Sequence, residues 1–397
     1  MSVIVTHARN RVAYNVVRSL GRRGIRVYTA DSIRRAMSFA SRYSTGHFIH
    51  PSPFTDPEGF IGRLIEEIGR LRVDVVIPVF EETFLLAKHS ARLSDCVATV
   101  LPTYQDILLA HNKDRWALTA RRLGIPVPAS CSIDELRTGQ LEARDLRYPV
   151  LVKPKQGGGA WGIRHVDTPD ALRRMLDSEF CGGVPWERFF VQERIRGETH
   201  CVAMLCNRGR TRATVTYQQL RDYPATGGQA TMRVSIRSPA AEAHLQRLLG
   251  SLAWHGVCQA DFVVDATTGI PYLIDLNPRL WGSLTQAIAS GVDFPYLIYR
   301  MAREGDVEPV AGFRTGVVTR WLGGELGAFI PHLRKSEAKL RFMRSFCFPP
   351  TRTALYDDFC LSDPLPFIAW LSDAALKALK FRSLKPVSHE TLEGVWD

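Results

Sequence analysis

Apolar and polar positions follow two periods along this chain, and the two periods alternate. VIVTH (residues 3–7) is a continuous apolar run of the kind needed by a strand covered on both faces. The next segment, ARNRVAYNVVRSLGRRG, sets Val12, Val16, Val17 and Leu20 on one helical face. RVYTAD (26–31) predicts a second strand, DPEGFIGRLIEEIGRLR a second helix, and VDVVIPV (73–79) a third buried strand. Strand and helix in turn predict an α/β fold that starts with a doubly wound parallel sheet over 1–108. The first strand-to-helix turn, THARNR, has no glycine, so a pyrophosphate could not approach its backbone and NAD is not expected here. Strand ends in such a sheet are where ligands sit, which makes Glu81 a candidate substrate contact; a surface or helix-cap acid is the alternative.

A second region opens at LAHNKDRWALTARRLGIPVPAS (109–130), a helix ending at Gly124 and followed by a proline-bounded turn. In YPVLVKPKQGGGAWGIRHV a β-run delivers Lys153 and Lys155 two residues apart, followed by Gly157, Gly158 and Gly159. Glycines there let backbone N–H groups close over phosphate oxygens while the lysines supply positive charge; a flexible hairpin tip would look the same. FFVQERIRGETH then brings Gln192 and Glu193 to a strand end, with Glu198 past a turn glycine. This is either a hinge that can hydrogen-bond a base edge and ribose hydroxyls or a strand ending in a solvated turn. Asp261 in QADFVV lies on a strand joined by the hairpin-like DATTG to YLIDLNPRLWGS. In the latter, Asp275, Asn277 and Arg279 occupy alternate positions and so share a face. Two oxygen donors beside a fixed cation suit Mg²⁺ bound to phosphate; a polar edge strand is the plainer explanation.

Composition narrows the classes further. With 397 residues, 45% apolar and 23% charged, the chain suits two or three domains with sizeable cores. No apolar run is long enough to span a bilayer, and the N-terminus lacks the features of a signal peptide, so a cytoplasmic location is expected. Eight cysteines without a CxxC pair argue against a structural zinc or redox motif. The net charge of +11 is spread along the chain with few interleaved aromatics, which makes nucleic acid the least expected of the anionic partners.

Taken in order, the α/β start, the helix carrying Lys113, VLVKPK with its GGG loop, QERIRGE, and the paired strands ending in DLNPR resemble the ATP-grasp superfamily over residues 1–300. Within it, the layout including YPATGGQATMRVS (223–235) is most similar to the carboxylate–amine ligases and their carbamoyl-phosphate-synthetase-like relatives. The resemblance implies a two-subdomain α+β ATP-grasp fold over 109–190 and 191–302, and a mostly helical extension over 303–397. It implies ATP between the two halves, held by Lys113, Lys153, Gly157, Gly158, Gly159, Gln192, Glu193, Ile195 and Glu198. Two Mg²⁺ ions, or Mn²⁺ in their place, would be bound by Asp261, Asp275 and Asn277. Arg279, Lys155 and Arg233 would be the catalytic cations, with Arg279 holding an acyl phosphate that an amine attacks. Asp275 stands where the family usually has glutamate, and Ala160 and Trp161 where many members carry a small hydroxyl residue.

The implied substrates are a small carboxylate and an amine, one of them an amino acid. A carboxylase, a small-molecule kinase and a non-catalytic nucleotide-binding module on the same scaffold are the alternatives. A homodimer is compatible with the layout. Residues 330–352 contain six basic and one acidic residue, and PFIAWLSDAALKALKF (366–381) reads as an amphipathic helix with apolar residues at 368, 371, 375, 376 and 379. Docking onto its own domain is the ordinary role of such a helix; an anionic membrane or a lipid-linked substrate is the other.

Overall fold

In the computed structural model, residues 1–156, 162–177, 180–181, 184–223, 228–335, 339–347 and 355–381 are described. The N-terminal unit runs β1 (Ser2–Val5), α1 (Arg11–Gly21), β2 (Arg26–Asp31), β3 (Gly46–Ile49), α2 (Pro57–Leu71), β4 (Val75–Ile77), α3 (Glu82–Lys88) and α4 (Ser90–Ser94). Its four strands are parallel in the order β3-β2-β1-β4. Alternation along β1 explains the unbroken apolar run. Val3 and Val5 join one core with Val12, Val16 and Val17 of α1, while Ile4 joins another with Phe60 and Leu64 of α2 and Leu85 of α3. Helices therefore cover both faces. The short strand β3 has no apolar run to betray it; its pattern is half exposed, with only Phe48 buried.

The predicted helix over 109–124 is two helices, α5 (Tyr104–His111) and α6 (Lys113–Arg122). Asn112 separates them because its side chain accepts from the backbone N–H of Asp114 and Arg115, which ends one helix and caps the next. That cap fixes Lys113 in the first turn of α6. The chain continues through β5 (Ser130–Ser132), α7 (Ile133–Arg137), β6 (Val150–Pro154), β7 (Arg164–Val166), α8 (Pro169–Leu176) and the small pair β8 (Phe180–Cys181) and β9 (Val184–Pro185). With β10 (Phe189–Glu193) these form a four-stranded sheet of order β5-β10-β6-β7.

A seven-stranded sheet follows, of order β15-β14-β11-β12-β13-β16-β17. Its members are β11 (Gly197–Asn207), β12 (Arg210–Tyr223), β13 (Gln229–Ser235), β14 (Gly256–Asp265), β15 (Pro271–Asn277), β16 (Val318–Arg320) and β17 (Leu355–Tyr356). The helices α9 (Pro239–Ser251), α10 (Leu284–Ala289) and α11 (Phe294–Glu304) lie between them in the chain. Along β11, Val202, Met204 and Cys206 pack on α9 with Leu245 and Leu248. Cys201, Ala203 and Leu205 point to the other face, toward the core shared with α1. One side of this sheet is thus ordinary core, and the other is turned toward the N-terminal unit.

Three further helices, α12 (Leu322–Lys335), α13 (Lys339–Cys347) and α14 (Leu365–Phe381), complete the described residues. The segment after residue 303 is not an appendage, because β16 pairs with β13 and β17 with β16, so its strands extend the same sheet. Polar contacts tie it down. Glu325, fully buried, accepts from Arg221, Arg320 and Thr231. Asp363 accepts from Ser41 and from the backbone N–H of Arg42. Helix α14 docks on the 3₁₀ turn Met37–Ala40, yet the face it uses differs from the expected one. Phe367 and Trp370 make the aromatic contacts, whereas Leu365, Ile368, Leu371 and Leu376 are exposed. No helix among the described residues is long and apolar enough to cross a membrane.

Candidate active site

The hairpin β14–β15 sets Asp261 directly opposite Asp275 and Gln259 opposite Asn277. Opposed residues of antiparallel strands share a face, so all four polar side chains stand together. Gln259 donates to Asp261 Oδ1 (2.6 Å) and accepts from Asn277 Nδ2 (2.9 Å). This relay commits the Asn277 amide N–H and leaves its carbonyl oxygen as a donor for a cation. Desolvation and the facing charge of Asp275 push the Asp261 carboxyl up to about 6. Two carboxylates held this close need positive charge between them. The donor set of two carboxylates and one amide oxygen fits a hard divalent ion that shares its remaining positions with phosphate. Among the described residues no group of three or more His, Cys, Asp or Glu side chains is placed to hold a metal ion by itself.

Cations reach the acids from three directions. Lys113, placed by the Asn112 cap, lies 3.4 Å from Asp275 Oδ1. Lys153 arrives from β6 in the other sheet. It is 5% exposed, donates to Gln192 Oε1 at 2.7 Å and feels the charges of Asp275, Lys113 and Asp261. Burial lowers its pKa to about 8. Arg279 lies two residues beyond the end of β15. Its guanidinium sits over the Phe80 ring at 4.8 Å and donates to Leu280 O, with Glu81, Asp275, Glu82 and Asp261 as electrostatic neighbours. Glu81, Lys113, Asp275, Asn277 and Arg279 line one crevice of about 310 Å³ between the N-terminal unit and the sheet.

Other candidates lie elsewhere. Lys155 pairs with Asp114 at 3.4 Å beside the first turn of α6, since β6 ends at Pro154 and the chain turns away. Arg233 shares the sheet face with Asp261 but stands three strands away, about 14 Å at ordinary strand spacing. It is fully buried, pairs with Asp357 of the C-terminal segment and also donates to Thr319 and Ala230. That guanidinium is committed to holding β13, β16 and the segment after β17 together. Glu198 is exposed on the β11 face opposite Asp261, 3.7 Å from His200. At the hinge, the backbone N–H of Glu193 is spent on Ala129 O (2.8 Å), and Ile195 lies in the link between β10 and β11. Gly157, Gly158 and Gly159, with Ala160 and Trp161, lie outside the described residues.

Gln259 and His111 complete the site and escaped the sequence reading. Gln259 was detectable, being two residues before Asp261 on the same strand. His111 lines the crevice edge-on to Phe84, and burial with the nearby charge of Lys113 lowers its pKa to about 4. Only the break between α5 and α6 puts it there. Cys201 stands opposite Asp261, but burial raises its thiol well above the ordinary value, so it is no nucleophile.

One lysine on a sheet and another at a helix start, both turned to paired acids on a second sheet, make an arrangement in which phosphates would be clamped between two sheets. Residues 110–283, somewhat under half of the chain, match the family model of an ATP-grasp domain. It is similar to the D-alanine–D-alanine ligase of Hydrogenovibrio crunogenus, 39% identical over 69 residues that cover 17% of this chain and 22% of the relative. The chain thus spans about a fifth of that protein's length. Its fold is similar to the ATP complex of biotin carboxylase from Campylobacter jejuni, with TM-score 0.65, 15% identity and coverage of 80% of this chain and 74% of that one. It is also similar to L-amino acid ligase from Bacillus licheniformis, with TM-score 0.59, 17% identity and coverage of 78% and 77%.

Proposed function

We propose that this protein is an ATP-dependent ligase that activates a substrate carboxylate as an acyl phosphate, joins it to an amine and releases ADP and phosphate. The observation that carries this reading is the convergence of Lys113, Lys153 and Arg279 on Asp261 and Asp275, in a crevice whose described lining holds no activated nucleophile. Phosphoryl transfer asks for positioning and charge neutralisation rather than covalent chemistry by the protein, and this crevice is equipped for that. Lys113 and Lys153 would bind the phosphates. Asp261, Asp275 and Asn277 would hold Mg²⁺, which supplies charge neutralisation at the phosphoryl group. Arg279, over the ring of Phe80, would present a guanidinium to a carboxylate or its acyl phosphate. Two sheets closing on the ligand would keep water from the acyl phosphate.

The likenesses to a D-alanine–D-alanine ligase and an L-amino acid ligase support an amino acid as one substrate, and the likeness to biotin carboxylase keeps a carboxylase as the second reading. The exposed stripe Leu365, Ile368, Leu371 and Leu376 supports a peripheral contact with a bilayer or a lipid-linked substrate. Incubation with MgATP, pooled carboxylates and hydroxylamine tests the main reading, because an acyl phosphate is electrophilic at carbon and yields a hydroxamate. Arg279→Lys should cut hydroxamate formation at least tenfold with little loss of nucleotide affinity. ADP release that depends on bicarbonate alone would establish the carboxylase instead, and a stable phosphorylated product without hydroxamate would establish a kinase.

A further inference from the structure

Beside the crevice at Arg279 lies a second, water-sized one at the C-terminal ends of β1 and β2, lined by Thr6, His7, Arg9, Asp31, His50 and Glu82 among others. Glu82 is 2% exposed and splits its oxygens between two roles. Oε1 accepts from Thr6 Oγ1 (2.5 Å) and from the backbone N–H of Val79 (2.9 Å) and Phe80 (3.2 Å), which anchors the β4–α3 turn. Oε2 is buried and accepts no hydrogen bond among the described residues; His7 Nδ1 lies 4.0 Å from it. His50, 6% exposed, has Nδ1 2.7 Å from Pro51 O. That nitrogen must carry the proton to meet a carbonyl. Nε2 is then a bare acceptor, also buried and unpartnered. Burial lowers the His50 pKa.

Two buried acceptors facing one crevice cost free energy unless a donor meets them. Arg9 does not fill this need, because three hydrogen bonds tie it to Asp31 and cancel that charge. Glu82 Oε2 has only His7 at 4.0 Å and the longer-range charge of Arg279 near it, neither of them hydrogen-bonded to it, so a donor that carries positive charge suits the place. The space between the walls suits a head group the size of a water or an ammonium. His7, held at a positive φ of 53°, stacks on Phe80 at 4.9 Å, and the same ring carries Arg279 at 4.8 Å. The two crevices are therefore separated by one aromatic side chain.

We infer that Glu82 and His50 seat a substrate ammonium group, so that the carboxylate substrate is an amino acid whose own amine is held away from the reacting centre. The orientation of that substrate rests on the ligase reading above; the ammonium seat does not. Bound as a cation to Glu82, this nitrogen has no lone pair to offer, which keeps it from serving as the attacking amine.

The test uses the full-length protein without nucleotide, titrated at constant ionic strength with methylammonium, which has three N–H donors, and with tetramethylammonium, which has the same charge and none. Methylammonium at ten times its Kd should raise the Tm by about 2 °C and tetramethylammonium should not. Glu82→Gln keeps the Oε1 anchor and removes the charge, so it should abolish the methylammonium shift while leaving the MgATP-induced shift intact, which also shows that the variant is folded. Equal shifts with both cations, no shift with either, or a methylammonium shift that survives Glu82→Gln would overturn the assignment and leave a water-filled crevice. Absence of an MgATP shift in both proteins would remove the ligase reading, not the ammonium seat.

Discussion

Replacing Lys153 by methionine should make the ligand-free protein no less stable while stripping it of nucleotide binding. In the native state this lysine is buried, and its pKa falls from 10.5 to about 8. That fall corresponds to roughly 3 kcal/mol of penalty on the charged form at neutral pH. Methionine has similar length and no charge, so the penalty vanishes. Against this stands the hydrogen bond to Gln192, whose buried Oε1 would lose its donor at a cost of about 1–3 kcal/mol. The single variant should therefore lie between wild-type stability and about 2 kcal/mol above it. Adding Gln192→Leu removes the orphaned acceptor and should bring the gain to about 2–3 kcal/mol.

The sign can be checked with pH. Between about 8 and 10.5 the unfolded lysine is protonated and the native one is not, so wild-type stability rises with pH relative to the variant and the difference closes. Differential scanning fluorimetry from pH 7 to 10.5, with and without MgATP, reads both effects. Wild type should gain about 2–3 kcal/mol at a hundredfold excess of MgATP over Kd, and the variants should gain little. A variant more than 2 kcal/mol less stable than wild type that still responds fully to MgATP would refute the reasoning, because Lys153 would then be a structural residue rather than a phosphate contact.

Two further outcomes follow from the same contacts. Asp275→Asn keeps the strand and the shape of the site but removes the charge facing Asp261, so ADP formation in a coupled assay should fall by two or more orders of magnitude while MgATP affinity falls less than tenfold. Asp357→Asn leaves the fully buried Arg233, and Arg11 beside it, without their shared counter-charge and should lower stability by about 3 kcal/mol in thermal or urea unfolding, with part of the loss restored by pairing it with Arg233→Met.

Much of the architecture was written in local pattern. A continuous apolar run at Val3–Val5 can only be a strand covered on both sides, and period-2 spacing through Asp275 and Asn277, with a hairpin turn before it, was enough to set both opposite β14. Asn112, by contrast, caps α6 and so sets where Lys113 stands, whereas the apolar pattern ran one helix straight through it to Gly124. These features depend on backbone periodicity and capping, which neighbouring residues decide. What the chain could not disclose was which cations are free to act. Lys155 and Arg233 have the same chemistry as Lys153 and Arg279, yet Asp114 and Asp357 claim the first two, and Asp357 comes from more than a hundred residues downstream of Arg233. Nor could it reveal that Glu82 and His50 meet at the strand ends, or that α14 docks through Phe367 and Trp370 with its more regular apolar stripe turned outward. Pairing of charges and choice of a buried face are settled by whatever the rest of the fold brings within a few ångströms, and only tertiary structure specifies that.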